Sequence, residues 1–585
     1  MKKINKLLFV MIPIFLFIAV WALGELRFYG NDEILIMNVL CGRMTGEPYA
    51  CTSYFHIFLG FIISNLYKIA DIPWFPAFII ICTLLGEMCI YDGMYTFLKS
   101  KANIFIKIVV GIINLYISIF TIAMPTYTTA ATLMGVVAIY LLYKNRFALS
   151  VSSLLLATAI RHQSGFVACA FWVAMLVIIV YKQDSNIIKL VKRVFLRVLM
   201  VVIAVLAVYA SDEFIKAKIE PADYANFRNG QTLNYDFPKA EEFIINQDEI
   251  LKSIGWDNEL YNLNAFKYFS MDDRISAESY KTLKRYVSGV FGTGVLKYIN
   301  NHIIKIPSML LVFIMILTLS FYHICTLIRS KSSNFVVFLL VYIFMAALLV
   351  YLCIMQRALM RAVLSIVLPT LMLTLLDFEY LYIKPAKRET IYFDIAAFAL
   401  SLQLFITGRF LILTILLIVL SLFKFKNKYL MSAVAAMLIF ACSSLCFSAG
   451  KAQYNFNKFV DNISANKSKI EAYAAQNSKN IYIYGSDFFL DNRISLPKEE
   501  AYNLFPWGGT LVHSSAHLMQ MEKAGLKHYD ISALYENNVY FVDKLNNSPD
   551  VEDINNLISA RGDSGTLKLY GTIPDSDIGI FKYYK

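Results

Sequence analysis

Residues 1–33 read MKKINKLLFVMIPIFLFIAVWALGELRFYGNDE, and their reading sets the frame for the rest of the chain. Lys2, Lys3 and Lys6 precede an apolar run from Leu7 to Leu23, and the stretch that follows, WALGE at 21–25, offers no small-x-small cleavage site. The run therefore reads as an uncleaved first membrane span and not as a signal peptide. Lysines favour the cytoplasmic side, which places the segment from Glu25 onward outside, where it soon meets Asn31-Asp32-Glu33.

The composition of the whole chain agrees. Of its 585 residues, 58% are apolar and 16% charged, with a mean hydropathy of +0.56. That balance excludes a soluble enzyme, a disordered scaffold and a disulfide mini-protein. Aromatics at 15% suit bilayer interfaces. The formal charge of +12 would raise the question of nucleic acid in a soluble chain, but the cations sit between apolar runs and form no basic stripe, so no nucleic-acid partner is expected. Of the nine cysteines, only Cys41 and Cys51 share an expected external loop, and a disulfide between them is an open alternative.

The positive-inside rule orders the remaining apolar runs. Reading Tyr54 to Ile69 as an interfacial helix on the outer surface and Trp74 to Leu98 as the second span puts Lys99, Lys101 and Lys107 in the cytoplasm. Further spans are expected near 103–123, 125–143, 147–160, 165–181, 190–210, 305–327, 333–355, 358–380, 391–406, 409–423 and 429–448, about thirteen in all. The expected fold class is a polytopic α-helical membrane protein with a small extracytoplasmic α/β domain at the C-terminus. The divisions are a transmembrane module over 1–210 carrying the first external loop (25–73), a mostly helical excursion over 211–303, a second transmembrane module over 304–448, and the α/β domain over 449–585. In that domain, helical pattern over 457–476 and 514–524 alternates with β-like runs at 480–484 and 539–542.

The informative residues are the few ionisable groups at or near the outer edge of the apolar runs. Asp32 and Glu33 suit a general base, or less readily a metal ligand, while the bland alternative makes Asn31 or Asp32 the N-cap of a helix over 34–40. Between Arg146 and Arg161 lie 14 residues, about 21 Å of helix against an apolar core of about 30 Å. That spacing holds Arg161, with His162 beside it, at membrane depth, where an unanswered guanidinium is costly; snorkelling to headgroups is the alternative. Arg357 and Arg361, four apart, are expected on one helical face, an arrangement that suits a phosphate or the headgroup of an anionic lipid. His513 and His517 are also four apart, and without a third ligand they read as a solvated helix face. The sequence contains no P-loop, HExxH or GxSxG motif.

Asn31-Asp32-Glu33 is followed by Met37-Asn38, then by Gly42-Arg43-Met44-Thr45-Gly46-Glu47-Pro48, Leu59-Gly60, Leu66-Tyr67 and Ile72-Pro73-Trp74. Over about the first 80 residues this resembles an uncharacterised bacterial branch of the GT-C superfamily of integral-membrane glycosyltransferases, and beyond them the order of spans and the external C-terminal domain are similar. The resemblance implies that a first-loop carboxylate, Asp32 with Glu33 second, acts as catalytic base or metal ligand, and that the donor is a polyprenyl-linked sugar. No WWDYG-like motif is present, which argues against an oligosaccharyltransferase.

The expected function is transfer of a sugar from a polyprenyl-phosphate donor to a cell-surface glycan or lipid-linked acceptor, at the outer face of a bacterial plasma membrane. Asp32 serves as base, and Arg161, His162, Arg357 and Arg361 hold the donor phosphate among membrane lipid. No metal is expected to be obligatory, although a carboxylate pair is compatible with one. The alternatives are a transporter or flippase of lipid-linked saccharides and a non-catalytic protein on the same scaffold. Against transport stand the lack of an internal repeat and the long external C-terminal segment.

Overall fold

The computed structural model describes every residue except 1, 101, 103, 184–186, 237–238, 240, 287–294, 379–427, 489–493, 495–500 and 546–547. Seven of the described helices are long and apolar enough to cross a membrane: Trp74–Lys99, Ile106–Ala123, His162–Tyr181, Lys192–Ile219, Pro307–Ser330, Phe335–Ile354 and Met360–Asp377. An eighth is gained if Ile4–Val10 and Ile12–Ala22, bent by 43°, form one span. The bend falls next to Pro13, which cannot donate a hydrogen bond into the turn before it. Two shorter apolar helices, Tyr127–Tyr143 and Phe147–Ile160, fall where spans are expected. The expected spans at 391–406 and 409–423 lie outside the described residues, and 429–448 falls within the helix Lys428–Gln476. The chain is thus a polytopic helical membrane protein, with seven or eight candidate spans among the described residues where about thirteen are expected over the whole chain.

The chain divides into two compact units. The helical unit comprises Met1–Leu26, Phe78–Tyr209 and Thr293–Asn455. Its helix starts are locally encoded: Thr126 and Thr129 form a reciprocal capping box at the head of Tyr127–Tyr143, and Pro307 opens Pro307–Ser330. Several of its buried ionisable groups have polar neighbours. Glu87 accepts from Ser118 and Thr121, each at 2.7 Å. Asp92 pairs with Lys6 at 2.6 Å and accepts from the Tyr140 hydroxyl at 3.0 Å. His323 lies 3.3 Å from Asp377 and 2.8 Å from the Tyr342 hydroxyl, while Asn334 donates to Asp377 at 2.7 Å.

The second unit joins Arg27–Ala77, Ala210–Gly292 and Phe456–Lys585. Five strands, β1 (Ile481–Tyr484), β2 (Leu504–Pro506), β3 (Val539–Lys544), β4 (Thr566–Thr572) and β5 (Ile578–Tyr584), form one sheet in the order β2-β1-β3-β5-β4. β1 runs parallel to β2 and β3, and β5 runs antiparallel to β3 and β4. The β-like runs at 480–484 and 539–542 mark β1 and β3, whereas β2, β4, β5 and the helix Pro549–Ala560 are not among the expected elements.

The excursion and the C-terminal domain are not separate bodies. Trp256, Phe269 and Tyr280 from the one share a buried core with Trp507, Phe541 and Ile554 from the other. Trp507 donates its indole N–H to the Lys267 carbonyl at 3.0 Å, and its own carbonyl accepts from Ser270 N–H at 2.9 Å. The other sheet face, with Tyr482 and Tyr540, is covered by Ile470 and Ala474 of the helix Lys428–Gln476.

The solvated-face reading of His513 and His517 is overturned. Ser514 caps the helix Ser515–Ala524, so His513 precedes it and the two rings do not share a helix face. His517 is 1% exposed, packed edge-on to Tyr529 at 4.4 Å between ring centroids, and burial, with His513 adding a smaller effect, holds its pKa down at about 3. Among the described residues, no group of three His, Cys, Asp or Glu side chains is placed to hold a metal ion.

Candidate active site

The acidic pair opens a helix, Asp32–Leu40. Asn31 occupies the N-cap position, as the bland alternative has it, although its side chain makes no capping bond, and Asp32 lies inside the first turn. Carboxylates there are favoured by the helix dipole. Successive helical side chains point about 100° apart, which gives the neighbours different surroundings. Glu33 is fully buried. Asp32 is half-buried and lines a small recess, together with Leu35, Ile36 and Val39 of its own helix, Thr52, Ser53 and Tyr54 of the following loop, and Thr510 and Leu511.

The loop after the helix returns alongside it because of Gly42. With φ at +83°, that residue is left-handed, and a Cβ there would lie 2.4 Å from the Glu47 carbonyl carbon. Gly46 N–H donates to the Gly42 carbonyl at 2.7 Å, Thr45 hydroxyl to the Glu47 carbonyl at 2.6 Å, and Tyr49 N–H to the Val39 carbonyl at 3.1 Å. Gly60 lets the next helix, Ile57–Ile69, lie against the Ala50 carbonyl, which would stand 2.1 Å from a Cβ.

Side chains from the other two segments of the unit secure this loop. Arg43 and Glu471 form a buried ion pair at 2.7 Å. Cys41 and Cys51 are both free thiols; Cys51 donates to Glu220 at 3.2 Å, and burial, reinforced by that carboxylate, pushes its pKa up. The other Glu220 oxygen accepts from Ser515 N–H at 2.6 Å. Asp212 accepts from Ile57 N–H and pairs with Lys216, both at 2.8 Å.

The expected phosphate-binding residues belong to the helical unit. Arg161 stands at the break between Phe147–Ile160 and His162–Gln183, where it donates to the Tyr127 hydroxyl and lies over that ring at 4.9 Å. His162 packs on Tyr209 at 5.0 Å. Arg357 and Arg361 do not share a helical face, contrary to expectation. The helix Phe335–Ile354 ends before them, Gln356 turns left-handed at φ +54°, and a new helix starts at Met360. Arg357 therefore lies in the turn and Arg361 in the first turn of the next helix, which loosens the paired-fork argument while leaving both near a helix N-terminus.

No family model matches the chain, and none of the curated proteins matches it. Two solved structures are similar over nearly its whole length. One is the crystal structure of ArnT from Cupriavidus metallidurans bound to undecaprenyl phosphate, at 13% identity and a TM-score of 0.47, covering 98% of this chain and 97% of that one. The other is the apo state of the same protein, at 12% identity and a TM-score of 0.42, with 97% of each chain covered.

Several residues that line the recess or bond to its lining segments escape sequence reasoning. Thr52, Ser53 and Thr510 are common residue types in irregular segments, and no spacing marks them. Tyr224 and Arg228 lie in the excursion about 190 residues beyond Asp32. The one local signal is Trp507-Gly508-Gly509, a turn directly before Thr510.

Proposed function

We propose that this chain is a GT-C-type membrane glycosyltransferase, moving a sugar from a polyprenyl-phosphate donor to a cell-surface glycan or lipid-linked acceptor at the outer face of the plasma membrane. The observation that supports the reading is the position of Asp32, the carboxylate that the first-loop resemblance singles out, half-buried on the wall of a small recess. In the reaction the acceptor hydroxyl oxygen bonds to the anomeric carbon as the bond from that carbon to the phosphate oxygen breaks. Asp32 takes the hydroxyl proton, and the polyprenyl phosphate leaves with the bonding electrons. Arg161, His162, Arg357 and Arg361 are proposed to bind the donor phosphate, for which guanidinium suits because it stays charged in a poorly solvated setting. No metal is assigned an obligatory role, so activity should survive chelation by EDTA.

The test uses the purified full chain with undecaprenyl-phosphate-linked hexoses and a glycan acceptor. Release of undecaprenyl phosphate coupled to a new glycosidic bond is the expected result. Movement of the lipid-linked saccharide across vesicles without any new bond would replace this reading with the flippase. The proposed orientation is checked by a reporter active only in the cytoplasm: fused after Lys585, it should stay silent.

A further inference from the structure

The recess beside Asp32 draws on two stretches far apart in sequence, Thr52 to Tyr54 and Thr510 to Leu511, and neither belongs to a helix or strand. One helix reaches both. Tyr224–Asp236 turns Tyr224, Arg228 and Gln231, at i, i+4 and i+7, to one side. The Tyr224 hydroxyl lies 2.6 Å from Ser53 Oγ and donates to the Thr510 carbonyl at 2.9 Å. A phenol has a single proton, so with that proton on Thr510 the Ser53 hydroxyl must be the donor in the other bond. Farther along the same helix, the Arg228 guanidinium lies 4.3 Å from the centre of the Tyr54 ring, and Gln231 donates to the Gly509 carbonyl at 3.3 Å.

We propose that Tyr224 is a positioning residue for the transfer reaction, its one hydroxyl tying Ser53 to Thr510 so that the two segments beside Asp32 keep their separation. This rests on the transferase reading above. The bonds are well placed to persist: Tyr224 is 4% exposed, so water competes poorly for them, and burial raises the phenol's pKa and keeps its proton in place. Tyr224 does not itself line the recess, which separates it from the groups that would touch a sugar.

Tyr224→Phe removes both bonds and keeps the ring. In the purified full chain, hydrogen exchange over segments 49–58 and 508–515 should quicken together by about tenfold, with β3 unchanged. Ser53→Ala, a milder change that spares the Thr510 bond, should quicken the first segment alone. In transfer assays with an undecaprenyl-phosphate-linked hexose, Tyr224→Phe should raise the acceptor KM by about tenfold and lower kcat by less than about threefold. A purely structural role would instead lower the active fraction and leave the acceptor KM alone. Unchanged exchange in both segments, or an unchanged acceptor KM, overturns the proposal. If the wild type shows no Asp32-dependent transfer, the transferase reading falls, whereas the exchange experiment still decides whether Tyr224 holds the two segments.

Discussion

In the helical unit Glu87 is held by Ser118 and Thr121, and Asp377 lies between Asn334 and His323, all enclosed by apolar helices; in the other unit Asp32 lines a recess beside Thr52, Ser53 and Thr510. Solvent explains the contrast. Hydrocarbon offers no hydrogen bonds, so an ionisable group among apolar helices must be met by a side chain within reach. A unit built from polar segments can instead carry a carboxylate to its half-exposed surface, as at Asp32. Enclosed charge therefore reports on packing, and charge at a recess is the better candidate for chemistry.

The sharpest way to break that contrast is within the acidic pair. Asp32→Asn should lower transfer by about 10²- to 10⁴-fold while donor binding persists, because the amide cannot take a proton. Glu33→Gln, at a fully buried position, should cost less turnover per folded molecule and show first in thermal unfolding. Equal loss of turnover in both would remove the distinction between recess and core.

Next come the enclosed pairs. His323→Leu removes one partner of Asp377, and Arg43→Met removes the ion-pair partner of Glu471, each at a cost of up to about 3–5 kcal/mol in unfolding measured in detergent. Replacing both partners of either pair with apolar residues should restore much of it. A stable His323→Leu single variant would show that Asp377 does not depend on this partner. Smaller effects are expected at the cations: Gln at Arg161, Arg357 or Arg361 should weaken undecaprenyl phosphate binding by about 1.5–3 kcal/mol, read by equilibrium titration. Unchanged binding in all three would assign them to ordinary lipid contact.

The mildest test is pH. His517 is depressed from 6.5 to about 3 in the folded chain, so between those values the unfolded state binds the extra proton. Stability of the recess-bearing unit should fall as pH drops from about 6.5 towards 3 and should be flat above that window as far as this group is concerned. His517→Gln should flatten the slope; an unaltered slope would assign it to other groups.

The sequence by itself determined the class of molecule. Crossing a membrane depends on the length and hydropathy of a contiguous run, both local properties, so the long apolar helices fall where the runs are. It also marked Asp32 and Glu33, because adjacent carboxylates just beyond a span stand out against an apolar background. Tertiary structure alone decided that 27–77, 210–292 and 456–585 form one unit and that Asp32, not Glu33, faces the recess. It also decided that Tyr224 reaches Ser53 and Thr510, and that His517 lies in a core. The break between Arg357 and Arg361 carries no Gly or Pro to announce it. Each of these depends on which side chains from distant segments meet, and periodicity along a single segment does not encode that choice.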